Sequence, residues 1–229
     1  VTGKTRDRGR PARHKEGMSF VVFEGLDAAG KSTLIHRVKQ ALDQRDQNFI
    51  CTQDPGSTET GLKLRDIILA KSTEVPVPKA ELLMYQAARV QMVDQVIRPA
   101  LQQKKWVLAD RFYSSTLAFQ VHARELDGGM VHKLNDYVSG DCHPDLFIFV
   151  DITVKESQRR KTDRSQTSGV AQDRMESEAE AFQEKVRQGY LAQAKANPEK
   201  WLVLDGTETP EALEAHVLDT FRERSWLPS

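Results

Sequence analysis

The run Gly25-Leu26-Asp27-Ala28-Ala29-Gly30-Lys31-Ser32-Thr33 fits the spacing G-x-x-x-x-G-K-[ST]. A short apolar stretch, Phe20 to Phe23, precedes it. A segment with Leu34, Ile35, Val38, Ala41 and Leu42 at helical spacing follows it. Strand, glycine turn and helix in that order leave the chain few ways to fold. The glycines let the backbone turn so tightly that its N–H groups converge on one point. The helix N-terminus adds roughly half a positive charge at the same place. Such a turn is built for phosphate oxygens. Lys31 is placed to reach the β and γ phosphates of a nucleoside triphosphate such as ATP, and the Ser32 hydroxyl to bind Mg²⁺.

Four more apolar runs read as strands: Phe49 to Cys51, Trp106 to Ala109, Leu146 to Val150 and Trp201 to Leu204. Each is short and continuous, as expected of strands buried on both faces. Helical patterns separate them, over Lys31 to about Asp46, Thr58 to Ala70, Lys79 to Gln103, two shorter pieces within 112–138, both ends of 156–196, and Pro210 to Arg222. Thr209 is the expected N-cap of the last. Alternating strands and helices predict an α/β fold with a five-stranded parallel sheet covered by helices on both faces.

Charge is balanced overall, with 33 basic and 33 acidic side chains. That argues against a nucleic-acid partner or a polybasic membrane surface. No apolar run approaches the roughly 20 residues of a membrane span. The balance is uneven along the chain, because residues 1–17 hold six basic and two acidic groups and almost nothing apolar. They read as a disordered basic extension ahead of a single domain over 18–229. No apolar stretch follows those charges, so a secretory signal is not expected. Cys51 and Cys142 show no metal-ligand spacing and are expected to be buried, reduced thiols of a cytoplasmic protein.

Two further features carry chemistry. Asp110-Arg111 closes the third strand, where doubly wound sheets bind ligands. There the acid can order Mg²⁺ or its waters, and the planar Arg111 fork can bridge phosphoryl groups. A surface ion pair would also produce this dipeptide. The stretch 159–176 is polar and basic, with Arg159, Arg160 and Arg164. It reads either as a solvated loop or as a mobile lid whose arginines close over phosphate. No Asn-Lys-x-Asp sequence for guanine is present. Small size, a basic lid and a long helix point to a P-loop nucleoside monophosphate kinase fold.

From about residue 18 to 206 the chain resembles the thymidylate (dTMP) kinases, in its bacterial class with a basic lid. The resemblance rests on Phe23 to Thr33, Thr52 to Gly61, Glu81-Leu82-Leu83-Met84-Tyr85-Gln86-Ala87-Ala88-Arg89, Asp110 to Gln120, Pro144-Asp145-Leu146 and Asp173-Arg174-Met175-Glu176, in that order. It implies transfer of the ATP γ-phosphoryl to dTMP with Mg²⁺, and a homodimer joined through helix 79–103. By position it implies that Gly25 to Thr33 bind ATP, and that Ser32 and Asp110 hold the metal. The catalytic set would be Lys31, Asp110, Arg111, Arg160 and Arg164. On the substrate side, Asp27 would meet the 3′-OH, Tyr85 stack on thymine and Arg89 reach its edge. Phe119 would occupy the space a 2′-OH needs, and Ser115 and Gln120 would help hold the base. Asp173 and Glu176 would close the lid end, with Pro55, Arg65 and Arg111 around the acceptor phosphate.

One position departs from the family. After the second strand it usually reads Thr-Arg-Glu-Pro-Gly-Gly, where Arg clamps the acceptor phosphate; here Thr52-Gln53-Asp54-Pro55-Gly56-Ser57 stands. Gln53 can donate a hydrogen bond but carries no charge, which leaves the clamp to Arg65 or Arg111. A kinase for another deoxynucleoside monophosphate, or a nucleotide-binding regulator impaired in catalysis, are the alternative readings.

Overall fold

The structure is a computed structural model describing residues 19–169 and 172–228. The basic extension at 1–17 and part of the expected lid lie outside the described residues. Five parallel strands, β1 (Phe20–Glu24), β2 (Phe49–Gln53), β3 (Trp106–Asp110), β4 (Leu146–Asp151) and β5 (Trp201–Asp205), form one sheet in the order β2-β3-β1-β4-β5. Each strand runs one or two residues beyond its apolar stretch and ends on a polar residue, which delivers side chains to the carboxyl edge. β1 is central and buried along its whole length. Val21 and Phe23 face α1 (Lys31–Asp43) and α9 (Pro210–Glu223) in one core, and Phe20 and Val22 face the other side. Each such buried side chain contributes roughly 1.5–3 kcal/mol.

The second face is covered by α3 (Pro78–Met92), α5 (Tyr113–Thr116) and α8 (Glu180–Ala196). α3 does not stop at Met92. It passes through a π-helical turn, Val93–Ile97, into α4 (Arg98–Gln102). Pro99 has no N–H and its ring would collide with the carbonyl one turn back, and the widened turn relieves that collision. A second π-helical turn, Leu117–Ala123, follows α5 and leads to α6 (Gly128–Ser139).

Three expectations change. The edge strands β2 and β5 are only partly covered, so Cys51 is exposed while Cys142 is buried; both thiols are free. In α2 (Glu59–Leu69), Ile68 is buried and Leu69 packs against the core, but Leu62 and Ile67 are 52% and 55% exposed, so the apolar side of this helix faces the core only in part. The stretch expected to be irregular from residue 159 onward is helical to Ser168, as α7 (Val154–Ser168). Thr153 caps it, and the i,i+4 pairs Glu156–Arg160 and Arg159–Asp163 take the place of an apolar stripe.

Candidate active site

The ends of β1, β2 and β3 open into a cavity of about 210 Å³. Along one wall runs the turn after β1. Gly25 (φ 148°) lies so close to β4 that a Cβ there would come within 2.6 Å of the Val150 carbonyl oxygen. Gly30 (φ 105°) starts α1. Between them Ala28 holds φ 61°, an uncommon left-handed value for a side-chain-bearing residue. Lys31 Nζ donates to the carbonyls of Gly25 (3.1 Å) and Leu26 (2.9 Å), across the mouth of the turn. Burial, with Arg111 nearby, pushes its ammonium below the usual lysine range.

Arg111 is also left-handed, at φ 71°, with its N–H bonded to the Phe23 carbonyl (3.0 Å). This strained backbone turns its side chain back over β1. There it donates to Asp27 Oδ1 (2.7 Å) and the Tyr190 hydroxyl (3.0 Å), with Glu24 Oε2 at 3.7 Å. Burial works against charge on Asp27, yet Arg111 and Lys31 outweigh it and hold the carboxyl below its ordinary value. Glu24 is wholly buried and accepts from the Phe112 N–H (3.1 Å), Ser114 (2.5 Å), Ser115 (2.7 Å) and Tyr190 (2.8 Å). It is the anchor of the Arg111 assembly.

The far wall comes from α3, α5 and the π turn after it. Tyr85 lines the cavity, and burial pushes its hydroxyl up. Arg89, one turn on, is 1% exposed and bonds Asp54 Oδ2 through Nε (2.5 Å), with Gln86, Asn135 and the Phe112 carbonyl at 3.3–3.5 Å. Burial raises the Asp54 carboxyl, and Arg89 offsets only part of that rise. Phe119 lies 5.5 Å from the Arg111 guanidinium, centroid to Cζ, and Gln120 donates to Glu81 (2.9 Å). Pro55, Arg65, Ser115, Arg164 and Glu176 also line the cavity, as do Ser32 and Asp110. Arg65 donates to the Pro55 carbonyl (3.0 Å), and Arg164 grips both oxygens of Glu176 (2.7 and 2.8 Å). Asp173 stands beside them, its carboxyl raised chiefly by burial.

All but two of the residues expected at the cavity thus come together around it or form its phosphate turn. Arg159 is 61% exposed and pairs with Glu156 and Asp163 along α7. Arg160 is the other exception. It donates to the carbonyls of Gly206 (2.8 Å) and Ala29 (3.4 Å), on the other flank of the turn, and lines a separate cleft of about 270 Å³. Among the residues the sequence did not single out are Glu24, Tyr190, Asp54 and Thr116. The Thr116 hydroxyl is buried with no hydrogen-bond partner among the described residues, and its residue lines the cavity. Its position two residues beyond Ser114 in Tyr113-Ser114-Ser115-Thr116 was the available signal.

Lys31, Arg65, Arg111 and Arg164 give the cavity the charge to hold anions, and Asp27, Tyr85 and Thr116 line the same space with polar and aromatic groups. Comparison with known proteins agrees in kind. A sequence profile described as thymidylate kinase matches residues 23–217. A thymidylate kinase of Bdellovibrio bacteriovorus is 44% identical over 92% of this chain and 98% of its own length. One from Nitratidesulfovibrio vulgaris is 40% identical over 89% of this chain and 95% of its own. The crystal structure of thymidylate kinase from Ehrlichia chaffeensis superposes with a TM-score of 0.71 at 27% identity, covering 90% of this chain and 99% of that one.

Proposed function

Since the chain belongs to the thymidylate kinase family and phosphorylates dTMP to dTDP with ATP, we propose how its own residues divide that work. The observation that carries the reading is the pair of spaces flanking one phosphate turn. The cavity with Asp27, Tyr85, Arg89 and Phe119 takes dTMP; the cleft beside Ala29, Gly30 and Arg160 takes the nucleoside of ATP. In the first, Tyr85 stacks on thymine, while Arg89, Thr116 and Gln120 meet its polar edge. Asp27 accepts from the 3′-OH, and Phe119 fills the space a 2′-OH would need. In the second, the Arg160 guanidinium presents a planar cation to the adenine side.

Phosphate chemistry then falls between the two. The N–H groups of Gly25 to Thr33 receive the donor phosphates, and Lys31 leaves the carbonyls it bonds to reach the transferring group. Arg65 and Arg111 hold the acceptor phosphate, with Gln53 as a neutral donor beside them. An acceptor phosphate oxygen attacks the γ phosphorus as the bond to the β–γ bridging oxygen breaks, releasing ADP. Lys31, Arg111 and Arg164 neutralise the charge spread over the moving group. Ser32 and Asp110 offer hard oxygens on the same cavity as Lys31 and suit Mg²⁺, which when bound draws charge from the phosphate oxygens. The lid of this reading is α7 with the returning segment from residue 172.

We further propose a homodimer, supported by the exposed Leu62 and Ile67 on α2 and Leu83 on α3. A cytoplasmic location suits the two free thiols. No helix among the described residues is long and apolar enough to cross a membrane. A coupled ADP-release assay with ATP and each deoxynucleoside monophosphate tests the central reading. dTMP is expected to exceed dAMP, dCMP and dGMP in kcat/KM by at least about a hundredfold, because buried polar groups left unpaired by the wrong base discriminate strongly. Equal turnover of dCMP would overturn the assignment of Tyr85, Arg89 and Thr116.

A further inference from the structure

One buried cluster behind the substrate contacts ties four separate pieces of chain together. Glu81, in the first turn of α3, is fully buried. Its Oε2 accepts from Arg174 (2.6 Å) and Arg124 (3.3 Å), and its Oε1 from Gln120 (2.9 Å) and Arg124 Nε (3.4 Å). Glu178 pairs with Arg124 and completes two anions against two cations. Arg174 is gripped further by α2, its Nε donating to the Ile68 carbonyl (2.8 Å) and its N–H to that of Leu69 (3.1 Å). Met175 is buried beside it in the core. The returning segment is therefore pinned at 174–178, although its composition is that of a solvated loop.

That pin sits between two parts of the cavity. On one side Glu81 holds Gln120 and lies one helical turn before Tyr85, both on the acceptor wall. On the other, Arg174 is flanked by Asp173 and Glu176. These two are mutually capped (Glu176 N–H to Asp173 Oδ1, 2.8 Å), and Glu176 carries the Arg164 guanidinium. Buried arrangements of this kind tolerate few alternative positions, because each displaced charge loses its partner in a poorly solvated place. We propose that Glu81 and Arg174 are positioning residues which link occupancy of the acceptor pocket to the placement of Arg164 over the transferring phosphoryl. The proposal rests on the reading of the cavity beside Tyr85 and Arg89 as the dTMP site.

Hydrogen exchange across residues 160–178, measured on the full chain with and without dTMP and without ATP, tests it. Isothermal calorimetry with dTMP alone runs beside it. In the wild-type protein dTMP is expected to slow exchange in this region. In Glu81→Gln and in Arg174→Gln the slowing should disappear, while the dTMP Kd changes by less than about tenfold. In steady state, kcat should fall more than about tenfold with a smaller change in the KM for dTMP. Arg174→Lys, which keeps a cation toward Glu81, should restore part of both. A folded variant whose lid exchange still responds to dTMP as in the wild type overturns the proposal. If Glu81→Gln does not fold, the two Arg174 variants decide by the same readout. Absence of dTMP binding to the wild-type protein would instead overturn the assignment of the cavity, which the calorimetry reports separately.

Discussion

Replacing Glu24 by Gln leaves shape and volume almost unchanged and removes one buried charge, so its effect can be worked from the contacts. The retained carbonyl oxygen can keep the Phe112 N–H and the Ser114 hydroxyl. The new amide faces Ser115 and Tyr190, whose hydroxyls can turn and accept. The number of hydrogen bonds survives, but four bonds to an anion become bonds to a neutral group, at a loss of about 1 kcal/mol each. Relief of the carboxylate's desolvation returns about half of that. The expected net loss is about 2 kcal/mol, or a fall in melting temperature of about 4–8 °C for a chain of this size. Arg111 keeps Asp27 but loses its second anionic neighbour. Its fork should wander and kcat should fall by more than about tenfold. Thermal denaturation followed by circular dichroism and the ADP-release assay measure the two effects. A variant melting with the wild type and turning over at its rate would refute the view that Glu24 organises the site.

Three other outcomes follow from the same geometry. Gln53→Arg should lower the KM for dTMP more than it raises kcat, because a contact present in both bound substrate and transition state acts as uniform binding; Arg65 on the same wall limits the gain to less than about a hundredfold, read by steady-state kinetics. Gly189→Ala should destabilise by about 1–3 kcal/mol in urea, since its Cβ would come within 2.9 Å of the Ala118 Cα where α8 crosses the π-helical turn. The depressed carboxyl of Asp27 contributes stability that is fully present above its unfolded value of 3.8 and is lost as pH falls through the lower folded value. The stability gap between wild type and Asp27→Asn should therefore be constant at neutral pH and shrink only below about pH 4, in urea titrations at stepped pH.

The sheet was legible because strands covered on both faces cannot hide their apolar runs. Phe20 to Phe23 and Leu146 to Val150 reveal themselves by composition alone. Cys51 looked the same but lies on an edge strand, and edge or centre is decided by strand order, which no single run contains. The phosphate turn was legible because its chemistry is local. The groups that complete the site were not, since Glu24 meets Tyr190 from 166 residues away and Arg174 meets Glu81 from 93. Only the start of α7 was legible, for another reason. Its helix is held by capping and by charge pairs along its own surface, and a reading based on apolar spacing has nothing to follow there.

The exposed thiol on β2 gives the molecule a natural point of attachment for a reporter. Cys142 is buried, so a maleimide dye should couple at Cys51 alone. Partial burial raises the Cys51 thiol, so coupling should be brisk only on the alkaline side of neutrality. The site borders a cleft shared with Ser32, Gln53 and Asp110, so a fluorophore placed there would sit within sight of phosphate arriving from either substrate. Stopped-flow emission from such a conjugate would separate the arrival of nucleotide from the chemical step, without a foreign cysteine introduced into the chain.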